Sequence, residues 1–248
     1  MEYVLVGAWC FLVAFGGGLV GLVLGNIRLP AVLLLSSSPA AGAGANIGIS
    51  AVAAATASIA HIRAGRVNWR LFAWMAPPSI AGALAGGYVS GVIPGDALLL
   101  AIAAVLLYSG YQLLARPHVR RVRAGRKGLD IPVAVLTGAV IGLLGGIVGL
   151  ILGSLRMPAM VRLVGEEPAR AVGTNVTVGF VVGVAGVIGH LPSAPPDWDL
   201  FAVGALASIP GALLGSRLTG RLSDRDLLRA VGVVLLVAAV AMVAKTFT

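Results

Sequence analysis

The sequence predicts an all-α polytopic membrane protein built from two inverted repeats, each a broken or re-entrant helical hairpin followed by three transmembrane helices. Three observations predict it: a strongly apolar composition, a chain that superposes on itself, and matched loops of opposite charge. Of the 248 residues 58% are apolar and 11% charged, and the mean hydropathy is +1.00. A soluble domain of this size has too little interior to hide that much apolar surface, so lipid is the solvent for much of the chain. Apolar stretches of about 20 residues, enough to cross roughly 30 Å of hydrocarbon, recur from one end to the other. The opening "YVLVGAWCFLVAFGGGLVGLVLG" has no basic flank and no small-residue cleavage site, and reads as mature structure rather than a signal peptide.

A shift of 129 residues lays the first half over the second without a gap from Pro39 to the end of the first half. Pro39 falls on Pro168, Gly44 on Gly173, Asn46 on Asn175 and His61 on His190. "WRLFA" (69–73) meets "WDLFA" (198–202), and "SIAGALAG" (79–86) meets "SIPGALLG" (208–215). At a shift of 128, "GNIRLP" (25–30) meets "GSLRMP" (153–158). The chain divides into an N-terminal repeat (1–116), a basic linker (117–130) and a C-terminal repeat (131–248).

Each repeat reads as four apolar pieces. The first has 3–37, interrupted at Gly16 to Gly18 and at Gly25 to Pro30, then 42–62, 71–92 and 97–115. The second has 131–164, interrupted at Gly145-Gly146 and at Gly153 to Pro158, then 171–190, 200–218 and 227–244. The arginines decide how they thread. "RAGRVNWR" (63–70) carries three, whereas its counterpart "PSAPPDWD" (192–199) carries none and two aspartates. "IPGD" (93–96) has no base, whereas the matching region "RLTGRLSDRDLLR" (217–229) has four arginines. Under the positive-inside rule matched loops of opposite charge lie on opposite sides, so the repeats are inverted and each has an odd number of crossings. That parity holds if the first piece of each repeat dips in and returns. Arg63, Arg66, Arg70, the linker, Arg162, Arg170 and Arg217 to Arg229 then share the cytoplasmic face, while Glu2, Asp96, Asp197, Asp199 and Lys245 lie opposite, with both termini outside.

In the first pieces, glycine runs and a proline make weak helices, tolerated at membrane depth only where protein or a water-filled cavity covers the backbone. Arms of about half-helix length place the turn near the midplane. "RLPAVLLL" (28–35) and "RMPAMVRL" (156–163) carry proline near a first helical position, a helix-start signal whose free N–H groups attract anions. Arg28 and Arg156 precede those prolines by two residues, and inversion brings them from opposite faces toward one point. An intramembrane arginine marks a functional site by default, and its planar fork matches an oxyanion in bidentate fashion. The plainer alternative is a straight first helix with Arg28 snorkelling at its end. Asn26 and Ser154 lie in the same hexapeptides.

Asn46 in "GAGANIG" and Thr174-Asn175 in "AVGTNVT" stand in first helical turns, either donating to the same ligand or capping and joining helices. Ser50 and Thr177 are weaker candidates. His61 and His190 end those helices, and serve either as a proton relay or as interfacial anchors beside Trp69 and Trp198. "GALAGG" and "GALLGS" read as close helix packing, which also admits a homodimer. Pro77, Pro78 and Pro210 suit either kinks or gates.

The single Cys10 excludes an internal disulfide or thiolate cluster, and no metal or cofactor is expected. No Walker sequence is present, so ATP is not the energy source. The net charge of +9 follows from arginine-rich cytoplasmic loops rather than nucleic-acid binding.

The stretch "GGGLVGLVLGNIRLPAVLLL", the run "PARAVGTN" (168–175) and the later His190, Asp197 and Trp198 resemble the sulfite exporter TauE/SafE family of bacterial membrane permeases. The resemblance covers both halves. It implies a multi-pass permease of the bacterial cytoplasmic membrane that moves small sulfur-containing or organic anions such as sulfite or sulfonates. The first half departs from the family pattern with "GAGAN" in place of a Thr-Ser pair and Asn68 in place of an aspartate.

The expected function is therefore a secondary transporter of a small anion, working by alternating access around a midplane site. A passive anion channel uses the same donors. An intramembrane enzyme built on Ser58 and His61 is a third reading, weakened because Val187 replaces the serine opposite His190.

Overall fold

The computed structural model describes residues 2–20, 23–115, 130–160, 164, 166 and 168–217, together with helical residues 233, 236, 239, 240, 243 and 244. Most of the basic linker, Arg162, the arginines after Arg217 and the side chain of Ser154 lie outside the described residues. The elements in order are α1 (Glu2–Val20), α2 (Gly25–Leu35), α3 (Pro39–Arg63), α4 (Trp69–Ser90), α5 (Gly95–Ala115), α6 (Ile131–Val148), α7 (Gly153–Ala159), α8 (Pro168–His190) and α9 (Trp198–Arg217). The described residues form no strand. In α3, α6, α8 and α9 the chain is long and apolar enough to cross a bilayer, and α4 matches them in length with 22 residues.

The first piece of each repeat is broken, but not where the glycines suggest. Gly16 to Gly18 and Gly145-Gly146 lie inside α1 and α6, and the breaks fall after Val20 and at Gly149. Away from water the intrahelical bond is the best partner a backbone amide can find, so a glycine run stays helical there. Gly149 ends α6 in the left-handed conformation, φ 70°, a stop that glycine makes without Cβ strain. The expected half-helix arms are likewise corrected. With 19 and 18 residues, α1 and α6 are about 28 Å long, and only the returning arm is short. The prolines do not start the short helices either. Gly25 and Gly153 do, leaving Pro30 and Pro158 as sixth residues and each arginine as the fourth. The first turn closes on Leu24 and Leu152, whose carbonyls accept from Ile27 N (3.1 Å) and Arg156 N (3.0 Å).

Helix contacts repeat with the halves exchanged. α1 runs parallel to α9: Gly7 touches Val203, Gly211 packs on Phe11 and Gly215 on Phe15. Their counterparts α6 and α4 do the same, Gly138 against Met75, Gly142 against Ser79 and Gly146 against Ala83. A Cβ on Gly82 would stand 2.5 Å from the Ala139 carbonyl oxygen, so the "GALAGG" and "GALLGS" stripes are the surfaces on which these backbones meet. At the centre the matched helices α3 and α8 run antiparallel, Gly44 beside His190, Gly48 beside Val187 and Ala51 beside Gly183. Antiparallel equivalents are what inversion of the repeats requires.

The first piece of each repeat leaves and returns at one end of the molecule. α1 starts beside the start of α9, and after α2 the backbone N–H of Ser37 donates to Asp197 Oδ2 (2.9 Å), just before α9. α6 starts beside the start of α4, and after α7 Glu166 accepts from Asn68, just before α4. Both pieces are therefore re-entrant. Arg63, Arg66 and Arg70 sit exposed at the second end, Asp96 and Asp199 exposed at the first.

Candidate functional site

The irregular backbone at the two breaks is covered by protein. Leu98, Ile102 and Leu106 of α5 pack with Leu24, Leu29 and Leu33 around α2, and with Leu150 and Leu152 of the second break. The breaks face each other: Val23, Gly25 and Asn26 line one wall of a cleft of about 10 Å³ and Leu150 to Gly153 the other. That space holds at most a single water. Gly25 lies against Ser50, near the middle of α3, and Gly153 against Asn175 of α8. The first turns of α2 and α7 thus converge deep in the protein.

Arg28 and Arg156 sit in those turns, 1% and 0% exposed, the two largest fully buried side chains described. A snorkelling Arg28 is excluded, because its head is enclosed. Its Nε donates to Asn46 Oδ1 (3.0 Å), and its Nη2 donates to the Asn46 backbone oxygen (3.0 Å) and to Ser50 Oγ (2.5 Å). Asn46 passes the link onward, its Nδ2 donating to the carbonyl of Gly149 (2.8 Å) at the other break. Arg156 stands differently. Among the described residues its Nε, Nη1 and Nη2 have no hydrogen-bond partner. Asn175 donates to the Gly153 carbonyl (3.3 Å) while its Oδ1 is unpartnered. A buried guanidinium without partners costs several kcal/mol, so the fold is carrying an unmet demand for an acceptor at this point.

The other candidates scatter. Asn26 is buried at the cleft. Thr174 turns to the α3–α4 loop, its Oγ1 accepting from Asn68 N (2.8 Å), and Thr177 donates back to the Gly173 carbonyl (2.9 Å). His190 is fully buried against Gly44 and Gly87, its Nδ1 2.8 Å from the Gly186 carbonyl oxygen, which corrects its reading as a headgroup anchor. His61 lies some seventeen residues along α3 from Gly44, about 25 Å away, so the two histidines do not meet. Ser58 Oγ and His61 Nδ1 are both unpartnered, so that dyad is not formed. Ser50, a weak candidate by residue type, stands one turn beyond Asn46 on α3 and faces the same arginine.

A buried pair of arginines thus lies at the breaks of two re-entrant, inverted segments. The family model described as sulfite exporter TauE/SafE matches residues 6–242. The chain belongs to the TauE/SafE family. It is 23% identical over 242 residues to the probable membrane transporter protein YunE of Bacillus subtilis (strain 168), covering 88% of this chain and 87% of the relative. To the probable membrane transporter protein YjnA of the same organism it is 27% identical over 228 residues, covering 86% and 90%. To the probable membrane transporter protein ORF9 of Sinorhizobium sp it is 26% identical over 215 residues, covering 85% and 82%. No solved structure matches it. This TauE/SafE member is an integral, multi-pass membrane protein of a transporter family.

Proposed function

We propose that this chain is a secondary transporter, and an exporter by family, of small sulfur-containing or organic anions such as sulfite or sulfonates. It works in a bacterial cytoplasmic membrane, by alternating access of its inverted repeats (1–116 and 131–248, joined by a cytoplasmic linker) around a central site. The observation that carries this reading is the burial of Arg28 and Arg156 at equivalent points of the two re-entrant segments. Two cations enclosed without a carboxylate among their described partners favour an anionic ligand over a cation or a neutral solute. Asn46, Asn175 and Asn26, with Ser154 and Thr174 from the same segments, are the further candidate ligands of the anion. The unformed Ser58–His61 dyad supports transport rather than catalysis.

The test is a thermal-shift screen of the purified protein against sulfite, sulfate, taurine, sulfoacetate and small carboxylates, followed by uptake of the stabilising anion into proteoliposomes. We expect one class of oxyanion to stabilise the protein, and its flux to saturate and respond to an imposed ion gradient. No stabilisation by any of them would overturn the anion reading. Flux that stays linear with concentration would make the protein a channel.

A further inference from the structure

We infer that the two arginines have different tasks: Arg156 grips the anion, Arg28 is a brace, and Ser50 against Gly179 is the residue difference that separates them. The inference rests on the anion-site reading above and names which guanidinium carries it.

A guanidinium offers an oxyanion its best grip side-on, through the parallel N–H bonds of Nε and Nη2. On Arg28 that edge is taken by the chain itself: Nε by the Asn46 side chain, Nη2 by the Asn46 carbonyl and the Ser50 hydroxyl. Asn46 is in turn held by the Gly149 carbonyl, so releasing Arg28 would strand several buried groups together. On Arg156 the same edge meets no partner among the described residues, although the residue is equally buried. The repeats differ at one of these partners. Asn175 matches Asn46, but the match to Ser50 is Gly179, which brings no hydroxyl. A second feature agrees: Asn175 Oδ1, the counterpart of the oxygen that holds Arg28 Nε, is itself unpartnered. The second half thus keeps a charged fork and a neutral acceptor unspent, side by side in sequence register with a half that has spent both. A ligand with two coplanar oxygens, such as a sulfite, sulfonate or carboxylate group, fits the fork. A hydroxyl or ammonium on the same ligand would satisfy the amide oxygen.

The experiment measures sulfite and sulfoacetate binding by calorimetry, and the melting temperature without ligand, on the full-length protein in detergent. Variants are R156K, R28K, G179S and G179A. R156K is expected to weaken binding by about 30-fold or more, with the ligand-free melting temperature held or raised. R28K is expected to lower the ligand-free melting temperature and to weaken binding by no more than about threefold. G179S restores the hydroxyl that the matched position of the first half offers to Arg28. Among the described residues a Cβ at Gly179 meets only Ile151 Cγ2, at 2.7 Å, which G179A reproduces without the hydroxyl. Binding weaker by about tenfold in G179S than in G179A supports the assignment. Equal losses in R28K and R156K, or equal binding in the two Gly179 variants, would overturn it while leaving the anion site standing. Absence of binding in the wild-type protein would remove the site itself, and this inference with it.

Discussion

Asp197 holds Ser37 through both carboxylate oxygens, accepting from the Ser37 backbone N–H at 2.9 Å and from its hydroxyl at 3.1 and 3.2 Å. The repeat carries Ser37 onto Glu166 and Asn68 onto Asp197, and Glu166 and Asn68 are bonded as well. The same staple closes the return of each re-entrant segment, one at each end of the molecule. Only the carboxylate has changed partner. This accounts for the departure from the family pattern at Asn68: an aspartate there would confront Glu166 with a second carboxylate, whereas the amide donates to it.

Asn68→Asp is therefore expected to destabilise the protein by about 1–3 kcal/mol, from a lost donor and a repelling charge beside a buried carboxylate. Its Oδ1 still caps α4 through Leu71 N, so the helix start is not at stake. Thermal unfolding of Asn68→Asp, Glu166→Gln and the double variant checks this. The double variant should recover most of the loss, since a glutamine amide can donate to the new carboxylate.

Gly86→Ala and Gly215→Ala should each cost about 1–3 kcal/mol, because the added methyl meets the carbonyl oxygens of Leu143 and Phe15 in the facing helix. Gly65→Ala should cost about 1 kcal/mol, from its φ of 64° alone, since nothing lies within 4 Å. Melting temperatures of the three variants under one detergent condition order them.

Sidedness is open to a thiol test, because the sole cysteine, Cys10, is fully buried. In a Cys10→Ser background, Asp199→Cys should react with a membrane-impermeant maleimide on intact cells, and Arg66→Cys only after permeabilisation. Both original residues are exposed. Labelling of both from outside would refute the inverted, re-entrant threading.

Ser58→Ala should leave anion flux within about twofold of wild type, since the Ser58 hydroxyl bonds to nothing described, its neighbour His61 included. Loss of flux in that variant, with the protein still folded, would reopen the enzymatic reading.

Much of this was legible in the residues. Duplication showed in coincident Asn, His and Trp positions, and the re-entrant course in arginines that a straight threading would divide between two faces. The arginine–proline hexapeptides marked the breaks to within a few residues. What stayed hidden depends on the environment of a residue rather than its type. Gly16 to Gly18 look like a helix breaker until water is removed, and Pro30 looks like a start until Gly25 is found pressed against Ser50. The unlike surroundings of Arg28 and Arg156 depend on how α3 and α8 pack around the breaks, which the matched Asn46 and Asn175 do not reveal by type.

The exchange of first arms has a consequence for biosynthesis. α1 leaves the ribosome well before α9, the helix on which its Gly7 face rests. Until then that face meets only lipid or whatever insertion factor shelters it, while α6 finds α4 already waiting. The α4–α6 pair can form as soon as α6 is made; the α1–α9 pair must wait for the second repeat to follow.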